Sequence, residues 1–273
     1  PKPRQRLNRA VVIERPLRRP DRLAHHLARQ PQIPRYRLDR LPTGVLAPIE
    51  DVADSAARAG ALRFVDMTQL VGKGVAEPFA KRADIMVCSS HKIYGPKGAG
   101  ALIASRHVQR QLVPLVSGGG QERGLRGGTP NTAGIAGFGV AAEIAAKEQS
   151  SDEARLADLS AALHTALIDQ VADVELNTGA ASRLSNTLNL RFVGADAEAV
   201  MASMPEISVS TGSACQSAVP THSHVLLAMG MRDSEIAESL RISLGRPTTR
   251  DEVETAVDRI AYAVGRVREL TRS

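Results

Sequence analysis

The sequence contains few aromatic residues, almost no cysteine and no tryptophan. Because only 3% of its 273 residues are aromatic, its hydrophobic core has to consist mainly of alanine, valine, leucine and isoleucine. Its two cysteines, Cys88 and Cys215, are too few for a disulfide framework, which favours a cytoplasmic protein over a secreted one. It also lacks an uncharged apolar run of about 18 residues and an N-terminal apolar stretch. We therefore expect neither a transmembrane helix nor a signal peptide.

Positive charge is concentrated at the N-terminus. Residues 1–40 contain 12 of the 35 lysines and arginines and three acidic residues, a net charge of +9, whereas the other 233 residues carry a net charge of −3. Six prolines in the same segment interrupt any long helix. The segment is predicted to be a disordered basic leader, or text translated from frameshifted GC-rich DNA. A nucleic-acid-binding arm is the alternative, and binding of nucleic acid would rest on this segment alone.

From Pro42 onward, strands alternate with helices, which predicts an α/β domain. The strands are predicted at 61–66, 84–90, 99–105, 173–177, 186–192 and 239–245, and segment 207–212 is expected to be extended. The helices are predicted at 47–60, 131–148, 152–170, 196–204 and 249–270, with Thr249 as N-cap and Glu252 as its partner. The pattern changes near residue 148. We therefore expect residues 41–148 to be part of a large domain and residues 149–273 to form a smaller α+β domain.

Polar side chains follow two of the predicted strands. Asp66 ends the first strand, and Ser89, His91 and Lys92 lie at the end of the second. Proteins of the α/β class place ligand-binding groups at the carboxyl ends of strands. A desolvated lysine can form a Schiff base, and a carboxylate can pair with a pyridinium nitrogen. With a hydroxyl and an imidazole for a phosphate group, this set matches what pyridoxal 5′-phosphate (PLP) requires.

Two further segments carry groups of chemical interest. The glycine-rich loop at 117–129 ends in Thr129 and can cradle a phosphate. Small residues surround Cys215 at 210–217, which favours an exposed, mobile thiol, whereas Cys88 lies inside an apolar strand and is expected to be structural. Taken singly, each of these features also has an ordinary structural explanation, such as a turn residue, a solvated lysine or a packed thiol. Their joint occurrence is the stronger signal.

Four segments together resemble the cysteine desulfurases, NifS- and IscS-like PLP enzymes of the class V aminotransferase family. They read GVLAPI…VDMTQLVGK, SSHKIYGPKGAGAL, GGGQERGLRGGTPN and STGSACQS…SHVLLAMG…SLRISLGR. Their order and spacing also match over roughly residues 43–273. The resemblance implies an incomplete large domain of the type I PLP-dependent transferase fold, that of aspartate aminotransferase. It implies that the smaller C-terminal domain carries the cysteine loop.

The resemblance also implies a role for each matching residue. Lys92 would bind PLP covalently and move the Cα proton of the substrate, and Cys215 would take its sulfur as a persulfide. Asp66 would bind the pyridinium nitrogen of PLP, and Gln69 would bind its phenolic oxygen. Ser89 and His91 would bind the phosphate, and Thr129 would reach the phosphate held by a second subunit. Arg241 would bind the carboxylate of the substrate. The implied partners are a second copy of the chain and a sulfur-acceptor or scaffold protein.

The implied reaction converts L-cysteine to L-alanine and passes the sulfur to iron–sulfur cluster assembly or thiolation. No metal site is expected, although Cys215 could contact an iron–sulfur cluster transiently. Other class V enzymes remain alternatives, such as a selenocysteine lyase or an aminotransferase, although a plain aminotransferase has no need of a loop thiol. A non-catalytic fragment that relays sulfur or dimerises is another.

The resemblance stops short of the family's N-terminal part. The family's phosphate loop and ring-stacking histidine have no counterpart here, because His25 and His26 stand in no matching context. Leu41, Pro42 and Thr43 occupy the place of an Asn-Asn-Glu run in the family. We therefore expect a truncated or frameshifted desulfurase that has lost part of the binding energy for PLP.

Overall fold

The computed structural model describes residues 11–12, 43–212 and 223–272, and these residues form two units. The first unit is built on Ala47–Gln149, and the second is built on Ser150–Ser273 together with residues 43–46. The first unit thus ends one residue after the domain limit that the sequence analysis predicts. In the described part of the chain, no helix has both the length and the apolar character needed to cross a bilayer.

The first unit contains a four-stranded mixed sheet. Its strands are β1 (Val11–Val12), β2 (Phe64–Asp66), β3 (Ile85–Ser89) and β4 (Gly100–Ala104), in the spatial order β1-β4-β3-β2. Strands β2 and β3 are parallel, whereas β4 is antiparallel to both of its neighbours. Strand β1 falls within the segment that the sequence predicts to be a leader. The remaining residues of that segment lie outside the described part of the chain.

The first unit also contains three short helices. They are α1 (Ile49–Arg58), α2 (Glu77–Arg82) and α3 (Arg106–Gln109), with 3₁₀ turns at Ser90–Ile93 and Gln121–Gly124. Helix α1 lies within the predicted segment 47–60 and buries Ile49, Ala53 and Ala56, whose spacing places them on one face. It ends before Gly60, whose φ of 64° suits a glycine after a helix.

Helix α4 spans Thr132–Gln170 without interruption. The sequence prediction of two helices, at 131–148 and 152–170, is wrong at this point. The linking residues 149–151 are Gln, Ser and Ser, and none of them forces a break as proline does. The first part of α4 joins a core cluster of the first unit through Phe138, Ala141 and Ala145. The later part contributes leucines to the core of the second unit, among them Leu163 and Leu167.

The second unit contains a three-stranded antiparallel sheet. Its strands are β5 (Val174–Leu176), β6 (Thr187–Phe192) and β7 (Ser239–Ser243), with β6 in the centre. Its further helices are α5 (Ala197–Ala202), α6 (His224–Ala228), α7 (Asp233–Ala237) and α8 (Arg250–Arg272). Segment 207–212 was expected to be extended, and the structure gives it one isolated bridge, between Ser210 and Arg241.

The start of α8 confirms the predicted capping box. The backbone N–H of Thr249 donates to Glu252 Oε2 at 2.8 Å, and the backbone N–H of Glu252 donates to Thr249 Oγ1 at 3.2 Å. Two backbone donors at the helix start are thereby satisfied. Residues on α8 such as Ile260 and Val264 are fully buried in the core of this unit, against β6 and β7 residues such as Leu190 and Leu240.

Candidate active site

Two neighbouring parallel strands bring the first candidate residues to one edge of the sheet. Asp66 is the last residue of β2 and lies opposite Val87 on β3, two residues before Ser89 ends that strand. At the opposite end of the pair, Arg63 donates to Asp84 from its backbone N–H and its Nε, both at 2.8 Å, and from Nη2 at 3.0 Å. This ion pair lowers the pKa of Asp84. It links the two segments in the register that sets Asp66 beside β3.

The turn after β3 carries His91 and Lys92. It is the 3₁₀ turn Ser90–Ile93, and both of its end residues are buried while His91 is exposed and Lys92 is half-buried. The turn closes through a hydrogen bond from Gly95 N to Ser90 O at 3.1 Å, and a Cβ at position 95 would lie 2.3 Å from Ser90 Oγ. Because the turn is anchored at both ends, its two middle side chains are held out of the core.

Ser89 and His91 contact each other across this turn. Ser89 Oγ lies 2.9 Å from His91 Nδ1, and the direction of that hydrogen bond depends on the tautomer of the imidazole. The two residues that the sequence assigns to a phosphate are therefore adjacent in space. A hydroxyl and an imidazole in contact can both donate to an anion when the imidazole carries a proton on each nitrogen, because Nδ1–H then donates to the hydroxyl oxygen and leaves the hydroxyl hydrogen and Nε2–H for the anion.

The turn after β2 packs directly against the turn that carries Lys92. Asp66 Oδ1 accepts from the backbone N–H of Thr68 at 2.9 Å, which starts the turn. Gly72 has a φ of 72°, and a Cβ at this position would lie 3.1 Å from both Ile93 Cγ2 and Ala145 Cβ. Glycine is required here for two reasons, namely its positive φ and the close approach of Ile93. Along the chain, Gln69 precedes Gly72 and Lys73 follows it.

The structure adds one residue to the candidate site, because Lys73 Nζ donates to Gln69 Oε1 at 2.7 Å. Burial, together with the positive charge of Lys92, lowers the pKa of Lys73 to about 8. This lysine lies inside the VDMTQLVGK segment, but no role is predicted for it from the sequence. The available signal was its spacing of four residues from Gln69 within a turn that also contains Leu70 and Val71.

The glycine-rich loop closes on itself. A Cβ at Gly127 would lie 2.6 Å from the backbone nitrogen of Gly118. The backbone segments around these two glycines therefore approach each other so closely that a side chain at position 127 would clash. Glu122 and Arg123 both have positive φ, 48° and 58°, which few non-glycine residues adopt. Thr129, at the end of this loop, is exposed.

Arg241 lies in the second unit, on β7. Its backbone N–H donates to Ser210 O at 2.6 Å and its carbonyl accepts from Ser210 N at 3.2 Å. Burial lowers the pKa of its guanidinium. Within the residues that the structure describes, no carboxylate forms an ion pair with it. A half-buried guanidinium without a carboxylate partner is suited to an anionic ligand. Cys215 lies outside the described residues, so its predicted exposure is not tested.

The chemistry of the first unit fits PLP. The edge of the sheet and the two turns combine a carboxylate, a carboxamide, a hydroxyl–imidazole pair and two lysines. Cys88 lies on β3 with its thiol pKa raised by burial, and this matches a structural thiol rather than a nucleophile.

Comparison with known proteins agrees with this chemistry. The family of class-V aminotransferases matches residues 7–255. A cysteine desulfurase of Frankia sp. (strain EuIK1) is 49% identical over 233 residues, which are 85% of this chain and 56% of that protein. The cysteine desulfurase IscS of Anaeromyxobacter sp. (strain Fw109-5) is 38% identical over 229 residues, 84% of this chain and 57% of that protein.

The solved structure of a NifS-like protein from Rickettsia africae superimposes with a TM-score of 0.74 and 28% identity. The match covers 84% of this chain and 61% of that one. It confirms the predicted fold class, the PLP-dependent type I fold. The chain spans little more than half the length of the curated relatives it matches.

Proposed function

Because the chain belongs to the class-V aminotransferase family and is homologous to the cysteine desulfurases, we propose that it takes part in PLP-dependent removal of sulfur from L-cysteine. The products would be L-alanine and a persulfide on Cys215. The observation that supports the proposal most directly is the arrangement of Asp66 and Ser89 at the ends of adjacent parallel strands, with Lys92 on the following turn.

In the proposed reaction, PLP would supply an electron sink that makes the Cα proton of the bound cysteine acidic. Lys92 would hold the cofactor through Nζ and then accept that proton at the same atom. Asp66 would keep the pyridinium nitrogen protonated by accepting its hydrogen bond. Ser89 and His91 would donate to the phosphate, and Gln69 would donate to the phenolic oxygen.

Two residues of the second unit would bind and attack the substrate. Arg241 would hold the carboxylate of L-cysteine in a bidentate contact, which its lack of a carboxylate partner supports. The thiolate of Cys215 would attack the substrate sulfur, forming an S–S bond while the C–S bond breaks. The electron pair of that bond would remain on the substrate carbon, which is then protonated on the way to alanine.

The proposed partners follow from the same assignment. We propose a homodimer in which Thr129 reaches the phosphate held by the second subunit, and the exposure of Thr129 supports this role. A sulfur-acceptor or scaffold protein of iron–sulfur cluster assembly or thiolation would receive the persulfide. The two cysteines of the sequence suit a cytoplasmic location.

A PLP titration tests the proposal. The purified chain should develop a visible absorption band on addition of PLP, and borohydride should trap the cofactor on Lys92. Lys92→Ala should abolish both signals, whereas Lys97→Ala, at a neighbouring exposed lysine, should leave them unchanged. If the folded wild-type chain forms no band, the proposal fails for this chain, and the alternative of a non-catalytic fragment is favoured.

A second assay separates cofactor binding from sulfur transfer. Cys215→Ser should keep the PLP band but form no protein persulfide when L-cysteine is added. Alanine and sulfide release should both be measured, with L-selenocysteine as a parallel substrate. Turnover of selenocysteine alone, unaffected by Cys215→Ser, would indicate a selenocysteine lyase instead.

A further inference from the structure

The proposed function leaves Lys73 without a role, although this lysine contacts a candidate cofactor ligand. We propose that Lys73 is a positioning residue that orients the carboxamide of Gln69 so that Nε2, and not Oε1, faces the cofactor. The inference rests on the proposed function, since it assigns to Gln69 a hydrogen bond to the phenolic oxygen of PLP. It adds a residue to the site that the sequence analysis did not single out.

The side chains of Lys73 and Gln69 differ in their hydrogen-bond donors and acceptors. A carboxamide can present either its oxygen or its NH₂ group, and rotation by 180° exchanges them. An ammonium has only donors, so it bonds to the oxygen and is repelled by the NH₂ group. The 2.7 Å contact between Lys73 Nζ and Gln69 Oε1 therefore selects one of the two orientations. Its charge makes this bond stronger than a neutral one.

The backbone around Lys73 holds the pair in place. The N–H of Lys73 donates to Leu70 O at 3.0 Å, and Gly74 N donates to the same oxygen at 3.1 Å. Val71 packs against the cluster around Ile93, and Gly72 approaches Ile93 without a side chain. The turn is therefore tied to the segment that carries Lys92, so Gln69 is oriented relative to the cofactor-binding lysine as well as within its own turn.

The charge of Lys73 also lacks compensation inside the protein. Within the part of the chain that the structure describes, no carboxylate forms an ion pair with its Nζ. Burial and the charge of Lys92 both disfavour the protonated form, and the lowered pKa of Lys73 reflects this. A lysine that served only to pack its alkyl chain would gain nothing from the bond to Gln69.

A double-mutant cycle on PLP affinity distinguishes these two roles. The variants are Lys73→Met, which keeps the chain length and removes the donors, Gln69→Ala, and the two combined, with exposed Lys81→Met as matched control. We expect Lys73→Met to weaken PLP binding about fivefold to tenfold in the wild-type background and less than about twofold when Gln69 is absent. An equal loss in both backgrounds, or no loss in either, would overturn the proposal.

The unliganded chain provides a readout that does not depend on the cofactor. Competitive acetylation at pH 8, with mass spectrometry of each lysine, reports how well the amine of Lys73 is held. Gln69→Ala should raise labelling of Lys73 about threefold or more and leave Lys81 unchanged, because the amine loses its acceptor. If the wild-type chain binds no PLP, the proposed function fails, whereas unchanged labelling of Lys73 in Gln69→Ala overturns the present inference.

A second substitution at Lys73 distinguishes loss of the hydrogen bond from a folding defect. Lys73→Arg keeps donors that can reach Gln69 Oε1, and it should retain PLP affinity within about threefold of the wild type. Circular dichroism should show that all variants are folded. Restoration of affinity by arginine, but not by methionine, supports orientation of the carboxamide. Equal loss in the two folded variants contradicts it.

Discussion

Removal of the ion pair between Arg63 and Asp84 tests whether this pair stabilises the pairing of β2 with β3. The pair joins the amino ends of the segments that contain β2 and β3, whose carboxyl ends carry Asp66 and Ser89. Replacing Asp84 by Asn keeps the shape of the side chain and removes its charge. The NH₂ group of the new side chain would face the guanidinium, so at least one of the three hydrogen bonds would be lost.

The expected loss of unfolding free energy in Asp84→Asn follows from the exposure of the two side chains. The side chains of Arg63 and Asp84 are 29% and 21% exposed, between a surface pair and a buried one. Exposed pairs contribute less than about 1 kcal/mol, and hydrogen bonds to charged groups contribute about 1.5–3 kcal/mol. We expect Asp84→Asn to lower the free energy of unfolding of the first unit by about 1–2 kcal/mol. In a unit of this size, such a loss lowers the melting temperature by several degrees.

The difference in stability between the wild type and Asp84→Asn depends on pH with a definite sign. The pKa of Asp84 is lowered in the folded state, so its contribution is fully present above the unfolded pKa of about 3.9 and is lost as pH falls through the folded pKa. Hydrogen exchange of segments 61–66 and 85–89 should therefore differ between wild type and Asp84→Asn at pH 7 and converge in strong acid. Glu77→Gln, in an exposed pair with Lys81, serves as control and should leave exchange unchanged. Equal exchange at pH 7, or a difference that persists in strong acid, would refute the reasoning.

Three further predictions concern the two turns and the second unit. Gly72→Val should destabilise the first unit and weaken PLP binding at least tenfold, since valine disfavours the positive φ and contacts Ile93; a folded variant with wild-type affinity would contradict this. Arg241→Lys should raise KM for L-cysteine about tenfold or more with unchanged PLP affinity, and a parallel loss of PLP binding would argue against a role in substrate binding. Acetylation of Lys73 should rise with pH around a midpoint of about 8, and a midpoint above 10 would mean that this lysine is not buried.

Local sequence patterns predicted the ends of individual elements well. Thr249 and Glu252 form the predicted capping box, because a cap depends on residues three positions apart. The ends of β2 and β3 also lie within the predicted segments, so Asp66 and Ser89 were placed correctly at strand ends. Family resemblance supplied the roles of these residues. The same local reasoning failed at residues 149–151, where a polar stretch without glycine or proline continues the helix α4.

Tertiary structure decided which of these residues meet. The parallel pairing of β2 with β3 joins segments about twenty residues apart, and strand register depends on packing and on contacts such as that between Arg63 and Asp84. The bond between Lys73 and Gln69 requires a turn whose shape depends on Gly72 fitting against Ile93. The sequence alone determined the chemical groups and their family. Their burial and mutual contacts, and with them the lowered pKa of Lys73, arise only when distant segments pack together, because desolvation and charge proximity are properties of the folded chain.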